Sequence, residues 1–366
     1  MPSGDYTTSE VKAIWSEDRM KERWGELWGL HLEHVPKAGP LTDPIDIEAA
    51  KKLAGSKHEV VREIYKRILD GGDANAHLGL TSSDITDNAR MMACIESTRL
   101  IGTEMFSLAR AISWRNDWGS EHVLARTHLL PAKRVMSRLV WETWKTYLED
   151  ATLARMSFQL RGFRGSVGDY HPEVGSMSGR LGTATAALAT NWQAEFETNV
   201  LQQNWSHMSA CSVIEDIARK AISLNKVAQD CRCFVAFGSM RRRTKDATAS
   251  STLVHKNANP FKFERVIALM RLVIGDAGVM HNTLLTQMLQ RTLDDSAVWR
   301  ETLVRCYGYL HSSCLILKDE LSSEGQWEFV DTEFENAELA IMRDVLDGKT
   351  TRAHADIAAR YGRGNT

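Results

Sequence analysis

The sequence predicts an all-α protein with unusually long helices packed around a central long-helix bundle. Helix breakers are rare: the 366 residues include only seven prolines, and residues 183–237 contain neither glycine nor proline. Apolar residues recur at helical spacing within that stretch, as at Val213, Ile217 and Leu224. Alternating strand patterns are scarce. Helices longer than about 25 residues are typical of bundles, which favours this architecture over a mixed fold.

Three helical blocks follow in chain order. Residues 1–110 predict an N-terminal domain of shorter helices, which begins at "YTTSEVKAIW" with Thr8 or Ser9 as the N-cap. Residues 111–250 predict the central bundle, with a second long helix expected within residues 120–161, where Met136, Val140 and Trp144 lie three or four apart. Residues 251–366 predict a C-terminal helical domain, preceded by a polar loop at about 244–260.

The composition excludes several classes of protein. A net charge of -2, with 43% hydrophobic and 25% charged residues, is typical of globular proteins and argues against a general nucleic-acid binder. No apolar run reaches the ~18–20 residues that a membrane helix needs, and the polar start "MPSGDYTTSE" does not resemble a secretory signal. The six cysteines are scattered and none has zinc-site spacing, so we expect reduced thiols, no metal and a cytoplasmic location.

Four polar segments interrupt the helical pattern: "GSKHEVVREIY", "HLGLTSSDITDNAR", "ARTHLLPAKR" and "TASSTLVHKNANPFKFER". Each has a structural alternative. "TSSD" before an apolar run is a helix-capping signal, a single histidine near a helix start is usually a hydrogen-bonded boundary residue, and a loop rich in serine and lysine is usually a solvated connection. The order of the four segments along a long-helix chain is the more informative observation.

That order resembles the fumarase/aspartase superfamily and, more closely, the adenylosuccinate lyase family. "KHEV" is similar to the family's Arg-His-Asp-Val, "HLGLTSSDITDNA" to its carboxylate-binding segment and "RTHLLPA" to its Arg-Thr-His-x-x-Pro-Ala. "QRTLDDSAVWR" resembles the phosphate-binding helix start of this lyase and is the more specific signal. The resemblance runs over nearly the whole chain. It implies a three-domain fold whose central helices form the helical core of a tetramer.

The family reaction breaks a C–N bond to a succinyl group and releases fumarate. It needs a base, a proton donor for the leaving nitrogen and fixed donors for a dianionic intermediate. The resemblance implies that the base is a serine of a mobile loop with the pattern Gly-Ser-Ser-x-Met-Pro-x-Lys-x-Asn-Pro. Counting from the Ser-Ser pair selects Ser250, and counting back from Asn259 selects Ser251, because one extra residue precedes the Asn-Pro pair. We prefer Ser250, since it keeps the spacing to Lys256.

The resemblance assigns the remaining catalytic roles by motif. His128 is the candidate general acid, Glu264 its partner, and His58 the group that orients the substrate. Lys256 would stabilise the serine alkoxide or the developing carboxylate charge. Acid–base groups suffice for this chemistry, so no cofactor is expected. The residues expected to bind substrate are Tyr6, Glu59, Thr81, Ser82, Ser83, Thr127, Gln203, Asn259, Arg291, Ser296 and Arg300.

Two departures from the family pattern leave the substrate open. Asp5 stands where the family has a phosphate-binding arginine, and Glu59 stands where it has an aspartate. The alternatives to a nucleotide substrate are a different amino-succinyl compound of specialised metabolism, or a catalytically impaired homologue. The family also builds each active site from three chains, so the resemblance implies a homotetramer with shared sites and a small-molecule succinyl-nucleotide substrate, with neither nucleic acid nor membrane as a partner.

Overall fold

A computed structural model describes residues 5–113, 121–153, 158–198, 201–243, 259–322, 325–331 and 337–348, with backbone alone at 337–341. Within these ranges the helices are α1 (Ser9–Ile14), α2 (Glu17–Leu32), α3 (Pro44–Ala54), α4 (Glu59–Leu69), α5 (Ser82–Ser113), α6 (Ser137–Leu153), α7 (Met177–Trp192), α8 (His207–Ala236), α9 (Phe261–Thr286), α10 (Ser296–Leu321) and α11 (Ala337–Leu346). The strands are β1 (His122–Thr127), β2 (Leu130–Met136), β3 (Gln159–Leu160), β4 (Glu195–Phe196), β5 (Met240–Arg242) and β6 (Trp327–Phe329).

Capping signals and apolar spacing account for the shorter N-terminal helices. Ser16 caps α2 by accepting the Arg19 N–H (3.2 Å), and Asp43 caps α3 immediately before Pro44. Along α4 the buried residues Val60, Ile64 and Ile68 are four apart, which forms a single apolar stripe facing the core. Helices α1, α2 and α4 pack against α5, and α3 packs against α4.

Four long helices, α5, α8, α9 and α10, form a bundle, of which only α8 lies within the residues 111–250 that were expected to build it. Helix α9 packs against both α8 and α10, and α10 packs against α5. Helix α5 has buried residues on all of its faces, because α1, α2, α4, α6 and α10 surround it. The all-α expectation is confirmed. No helix of the described segments is long and apolar enough to cross a membrane.

The second long helix is shorter than the stretch that was expected to contain it. Residues 122–136 form an antiparallel hairpin of β1 and β2, so Met136 is in a strand and α6 begins only at Ser137. The two residues at the hairpin tip, His128 and Leu129, have φ of 52° and 64°, which is the type I′ geometry of a two-residue turn. Such turns usually carry Asn-Gly or Asp-Gly, and the absence of those residues hid the hairpin from the sequence pattern.

The longest breaker-free stretch contains two helices rather than one. Helix α7 ends at Trp192 with Gln193 in a left-handed conformation (φ 49°), and α8 begins at His207 with Ser206 as its N-cap. Ser206 Oγ accepts the Met208 N–H (3.2 Å). The short parallel pair β3–β4 occupies part of the interruption. A serine cap and a polar left-handed residue therefore end and restart the helix without glycine or proline.

Candidate functional site

A cleft of about 490 Å³ lies where the starts of three helices converge. His58 and Glu59 from α4, Ser82 from α5, and Ser296 from α10 contribute to its walls. Unpaired backbone N–H groups and the helix dipole make each helix N-terminus favourable for an anion. Three such ends facing one cleft predict a ligand that carries negative charge at more than one point. We refer to this site as the anion cleft.

Four cationic side chains line the anion cleft: Lys57, Arg90, Arg291 and Arg300. Arg300 Nη1 contacts Glu59 Oε1 at 3.2 Å, and Arg90 Nη1 contacts Asp87 Oδ1 at 2.8 Å. The Arg300–Glu59 pair is exposed to solvent, whereas the Arg90–Asp87 pair is largely buried. An anionic ligand can therefore compete for Arg300 at low cost, while Arg90 is fixed in place.

Arg291 is held at the cleft wall by two neutral partners. Its Nη1 donates to Ser83 Oγ (3.1 Å) and to Asn204 Oδ1. Because these partners are neutral, they fix the direction of the guanidinium without neutralising its charge. Asp295 also lines the cleft, and its pKa is raised by burial and by the charge of Asp87.

The "TSSD" segment also builds the support beneath the cleft. The Thr81 N–H donates to Asp84 Oδ2 (2.8 Å), so the capping interpretation of this segment is confirmed. The Asp84 carboxylate also accepts the N–H groups of Arg164 (2.8 Å) and Gly165 (3.0 Å) and pairs with Arg161. This fully buried carboxylate thereby ties the start of α5 to the loop at residues 161–165.

A glycine in that loop is required by its geometry. Gly165 has φ of +80°, and a Cβ there would collide with the ring of His171. The same ring contacts the Gly79 carbonyl through Nε2 (3.0 Å), just before the "TSSD" segment. The loop at residues 161–165 and the start of α5 are therefore held together, which fixes the position of Ser82 at the cleft.

Two further buried charges lie beside this support. Arg164 Nη2 donates to the Glu197 carbonyl (2.6 Å), and its Nη1 is 3.9 Å from Glu197 Oε2. Burial raises the pKa of Glu197 to about 7. The Ser206 N–H, which donates to the carboxylate, acts in the opposite direction. The buried carboxyl therefore holds its proton to a higher pH than an exposed glutamate does.

The structure brings six of the expected site residues together at the anion cleft: His58, Glu59, Ser82, Arg291, Ser296 and Arg300. Ser296 and Arg300 are four apart on α10 and both face the cleft, as their spacing predicts. Ser83 is buried behind the wall, where it accepts from Arg291, and Thr81 closes the cap with Asp84.

His128 lies at the tip of the β1–β2 hairpin and is not among the residues that line the anion cleft. Its neighbours Leu129 and Leu130 are 64% and 67% exposed, and Thr127 is exposed as well. A left-handed φ at a non-glycine residue stores strain, which proteins often retain at functional positions. Within one chain, the candidate acid and the anion cleft are therefore separate.

The other expected residues occupy a third region and the loop near α7. Glu264 is in the first turn of α9 and pairs with Arg232 (3.3 Å), and exposed Asn259 precedes that helix. Tyr6 packs edge-on against Tyr309. Gln203 donates its side-chain N–H to the Ser166 carbonyl. Ser250, Ser251 and Lys256 lie outside the described residues.

Asp5, the residue that departs from the family pattern, is engaged elsewhere. Its carboxylate pairs with Lys12 (2.7 Å) and accepts the Thr7 N–H (2.9 Å). The contact with Lys12 makes the largest contribution, and together these contacts lower the pKa of Asp5 to about 2. Asp5 is not among the residues that line the anion cleft.

Sequence reasoning missed Lys57, Thr86, Asp87, Arg90 and Asp295 at the cleft. A signal for two of them was present: Ser82, Thr86 and Arg90 are spaced by four and so share one face of α5. Asp295 had no such signal, because its contact with Asn204 (3.4 Å) is a tertiary one.

Comparisons with known proteins identify enzymes that are similar to this chain in sequence. No protein-family model matches the chain. The chain is 28% identical over 324 residues to adenylosuccinate lyase of Archaeoglobus fulgidus, which covers 82% of this chain and 70% of that protein. It is 28% identical over 355 residues to adenylosuccinate lyase of Deinococcus radiodurans, covering 87% and 74%. The match to the Schizosaccharomyces pombe adenylosuccinate lyase is 24% identical and covers 92% and 75%.

Solved structures show the same architecture. The 3-carboxy-cis,cis-muconate lactonizing enzyme of Pseudomonas putida superposes with a TM-score of 0.73 at 18% identity, over 98% of this chain and 86% of that one. A fumarate lyase from Mesorhizobium sp. BNC1 superposes with a TM-score of 0.67 at 15% identity, over 90% and 77%. The chain therefore shares its fold with these two enzymes. Together with the curated relatives, this shared fold points to a carbon–nitrogen lyase.

Proposed function

We propose that this enzyme releases fumarate from an N-succinyl nucleotide by β-elimination. The candidate substrates are adenylosuccinate, which yields AMP, and the succinyl-carboxamide ribotide of purine synthesis. In this reaction a base removes the proton next to a carboxylate, the electron pair forms the C=C bond of fumarate, and the C–N bond breaks. The departing nitrogen then receives a proton from a general acid.

The observation that carries the proposal is the anion cleft. A succinyl nucleotide has two carboxylates and a phosphate, and the cleft offers three helix N-termini together with Arg291 and Arg300. Ser296 opens α10 beside Arg300, an arrangement suited to a phosphate. His58, at the start of α4, would orient the bound substrate.

The proton-transfer groups would come from the other regions. His128 would protonate the leaving nitrogen, with Glu264 as its partner, because imidazole titrates near neutral pH. Ser250 or Ser251 would act as the base, with Lys256 stabilising its alkoxide and Asn259 donating beside it. In this scheme Thr81, Ser82, Thr127, Gln203 and Tyr6 contribute substrate contacts.

A tetramer with shared sites would reunite these regions, since one chain holds His128 apart from the anion cleft. Exposed apolar residues on the long helices favour such an assembly: Ile222 on α8 is 59% exposed, and Leu272 and Val279 on α9 are 52% and 48% exposed. Light scattering should give four times the monomer mass. A stable, active monomer would contradict the assembly.

The direct test is fumarate formation from adenylosuccinate by the purified protein. His128→Ala should lower kcat by at least about 100-fold, because general-acid catalysis contributes roughly 10²–10⁴. The control is His122→Ala at the start of β1, six residues before His128, which should stay near wild type. Comparing Ser250→Ala with Ser251→Ala identifies the base. Absence of fumarate from the wild-type protein with either nucleotide would end the proposal.

Mixing two inactive variants tests whether sites are shared. His58→Ala and His128→Ala place their defects in the anion cleft and at the hairpin tip respectively. Subunit exchange would create some sites in which both histidines are intact, so activity should reappear in the mixture. No recovery after verified exchange would place both histidines of each site on one chain.

A phosphate-free amino-succinyl substrate is the second candidate. It is favoured by Asp5, which replaces a phosphate-binding arginine, and by Glu59, which occupies Arg300 (3.2 Å). Comparing kcat/KM for succinyl adducts with and without phosphate separates the two candidates. A preference for phosphate-free compounds would establish this alternative.

A further inference from the structure

The hairpin that carries His128 is anchored at its open end by an acidic residue of another segment. The Asp331 carboxylate accepts the His122 N–H (3.1 Å) and pairs with Arg134 (3.1 Å). His122 and Met136 form the register pair farthest from the turn, so these contacts lie at the opposite end of the hairpin from His128. They fix where the hairpin begins, and the orientation of its turn depends on other contacts.

The strand ladder gives the turn itself little support. His128 and Leu129 have φ of 52° and 64°, a left-handed conformation that residues with a Cβ rarely adopt. The strand register also shifts between Ala125 and Arg126, which interrupts the ladder just before the turn. A strained backbone conformation persists only where the surrounding structure holds it, so the turn requires support from side chains.

Arg126 provides this support through two contacts. Its Nη1 donates to the Leu129 carbonyl (3.2 Å), so the side chain spans the turn that contains His128. The same guanidinium lies over the ring of Phe237, 4.1 Å from the ring centroid. At this distance a guanidinium gains both cation–π attraction and planar stacking. We call these two contacts the turn brace, because they join the turn to the end of α8.

The ring of Phe237 is a fixed support, because the end of α8 is firmly capped. Gly238 has φ of 73°, and its N–H donates to the Val235 carbonyl (3.1 Å). The Ser239 N–H donates to the Phe234 carbonyl (2.9 Å). Together these bonds form the Schellman motif that ends a helix with a left-handed glycine. Backbone hydrogen bonds of α8, rather than contacts with the hairpin, therefore set the position of Phe237.

We propose that Arg126 is a positioning residue for His128, which it holds in the orientation needed for proton transfer by bracing the turn against α8. The inference rests on the proposed function in taking His128 as the general acid. Loss of the turn brace misaligns the imidazole and slows proton transfer. Substrate binding should change little, because Arg126 is not among the residues that line the anion cleft.

The first test separates kcat from KM for fumarate formation from adenylosuccinate. Arg126→Ala removes both contacts of the turn brace and should lower kcat by about 10- to 100-fold, with KM changed by less than about twofold. The matched control is Arg134→Ala, which removes the other paired arginine of the hairpin at its open end and should keep kcat within about twofold of wild type. Equal losses of kcat in the two variants would overturn the proposal.

A second test asks whether Arg126 acts through His128. In a His128→Ala background, Arg126→Ala should lower the remaining kcat by less than about twofold, because the group that it positions is already absent. A residue that only supports the structure would cause the same fall in both backgrounds, and that result would overturn the positioning role.

Hydrogen exchange tests the turn brace without reference to catalysis. In peptides that cover residues 122–136 of the full-length protein, exchange near the turn should be about tenfold faster in Arg126→Ala. Phe237→Leu removes only the stacking and should speed exchange by about threefold. Unchanged exchange in Arg126→Ala would refute the turn brace and leave the proposed function standing. Absence of fumarate from the wild type would instead refute the proposed function, and with it the catalytic role of the brace.

Discussion

Two clusters of charged residues lie beside the start of α5, and they use their charges differently. In the buried cluster, Asp84, Arg161 and Arg164 are at most 1% exposed, and their charges hold the loop beneath the cleft. At the anion cleft, Arg300 and Glu59 are about half exposed and contact mainly each other. The first set is committed to architecture, whereas the second remains available to a ligand.

The largest expected effect is on the buried cluster. Asp84→Ala leaves Arg161 as an uncompensated buried charge and removes the acceptor of three backbone N–H groups. The free energy of unfolding should fall by about 3–5 kcal/mol, as when a buried pair loses one partner. Urea denaturation measures it, with exposed Asp18→Ala as the control, expected to change by less than about 1 kcal/mol. If Asp84→Ala and Asp18→Ala lost equal amounts of stability, the structural role assigned to Asp84 would be wrong.

Glu197 should give the buried cluster a pH dependence. Its ordinary pKa near 4.5 rises to about 7 on burial. Between these values the native protein retains a proton that the unfolded chain has released, so this contribution to stability falls as pH rises and is fully lost above about pH 7. The difference amounts to about 3 kcal/mol.

Glu197→Gln removes that titration. The free energy of unfolding of the wild type, relative to the variant, should fall between pH 4.5 and pH 8, as measured by urea titrations at a series of pH values. The exposed Glu48→Gln variant should show no such trend. If the difference in free energy of unfolding between the wild type and Glu197→Gln did not change with pH, the charge of Glu197 would be fully compensated in the native state.

The exposed cleft should respond in ligand affinity rather than in stability. Arg300→Gln removes a charged donor and should raise KM for a phosphate-bearing succinyl substrate by about 10- to 100-fold. The free energy of unfolding should change by less than about 0.5 kcal/mol, because the Glu59 pair is exposed. If Arg300→Gln unfolds the protein as Asp84→Ala does, the contrast between the two clusters is wrong.

The smallest expected effect comes from the partner of Arg300. Glu59→Gln frees the guanidinium and should tighten inorganic phosphate binding by up to about fivefold, the range that an exposed pair allows. Calorimetric titration measures it, with Glu63→Gln on the same helix as the control, because Glu63 pairs with Arg67 outside the cleft. Weaker phosphate binding in Glu59→Gln would show that Glu59 positions Arg300 instead of competing for it.

Local features of the sequence were enough to place several site residues. Cap signals and spacing predicted that His58 and Ser82 stand at helix starts, and that Ser296 and Arg300 share a helix face. The division into three domains, the role of the serine pair and the tetramer stay predictions. The sequence pattern did not predict the β1–β2 hairpin, because its His128–Leu129 turn lacks the glycine or asparagine that usually occupies left-handed positions.

By itself, the sequence determined the all-α fold, the long helices and the polar segments that carry the chemistry, because these depend on periodicity, capping and spacing within a few residues. Only the tertiary structure decided that three helix starts face one cleft, that Arg300 pairs with Glu59 across 241 positions, and that His128 stands apart from both. Charges distant in sequence meet only after packing, and packing sets whether each one is buried and paired or left exposed for a ligand.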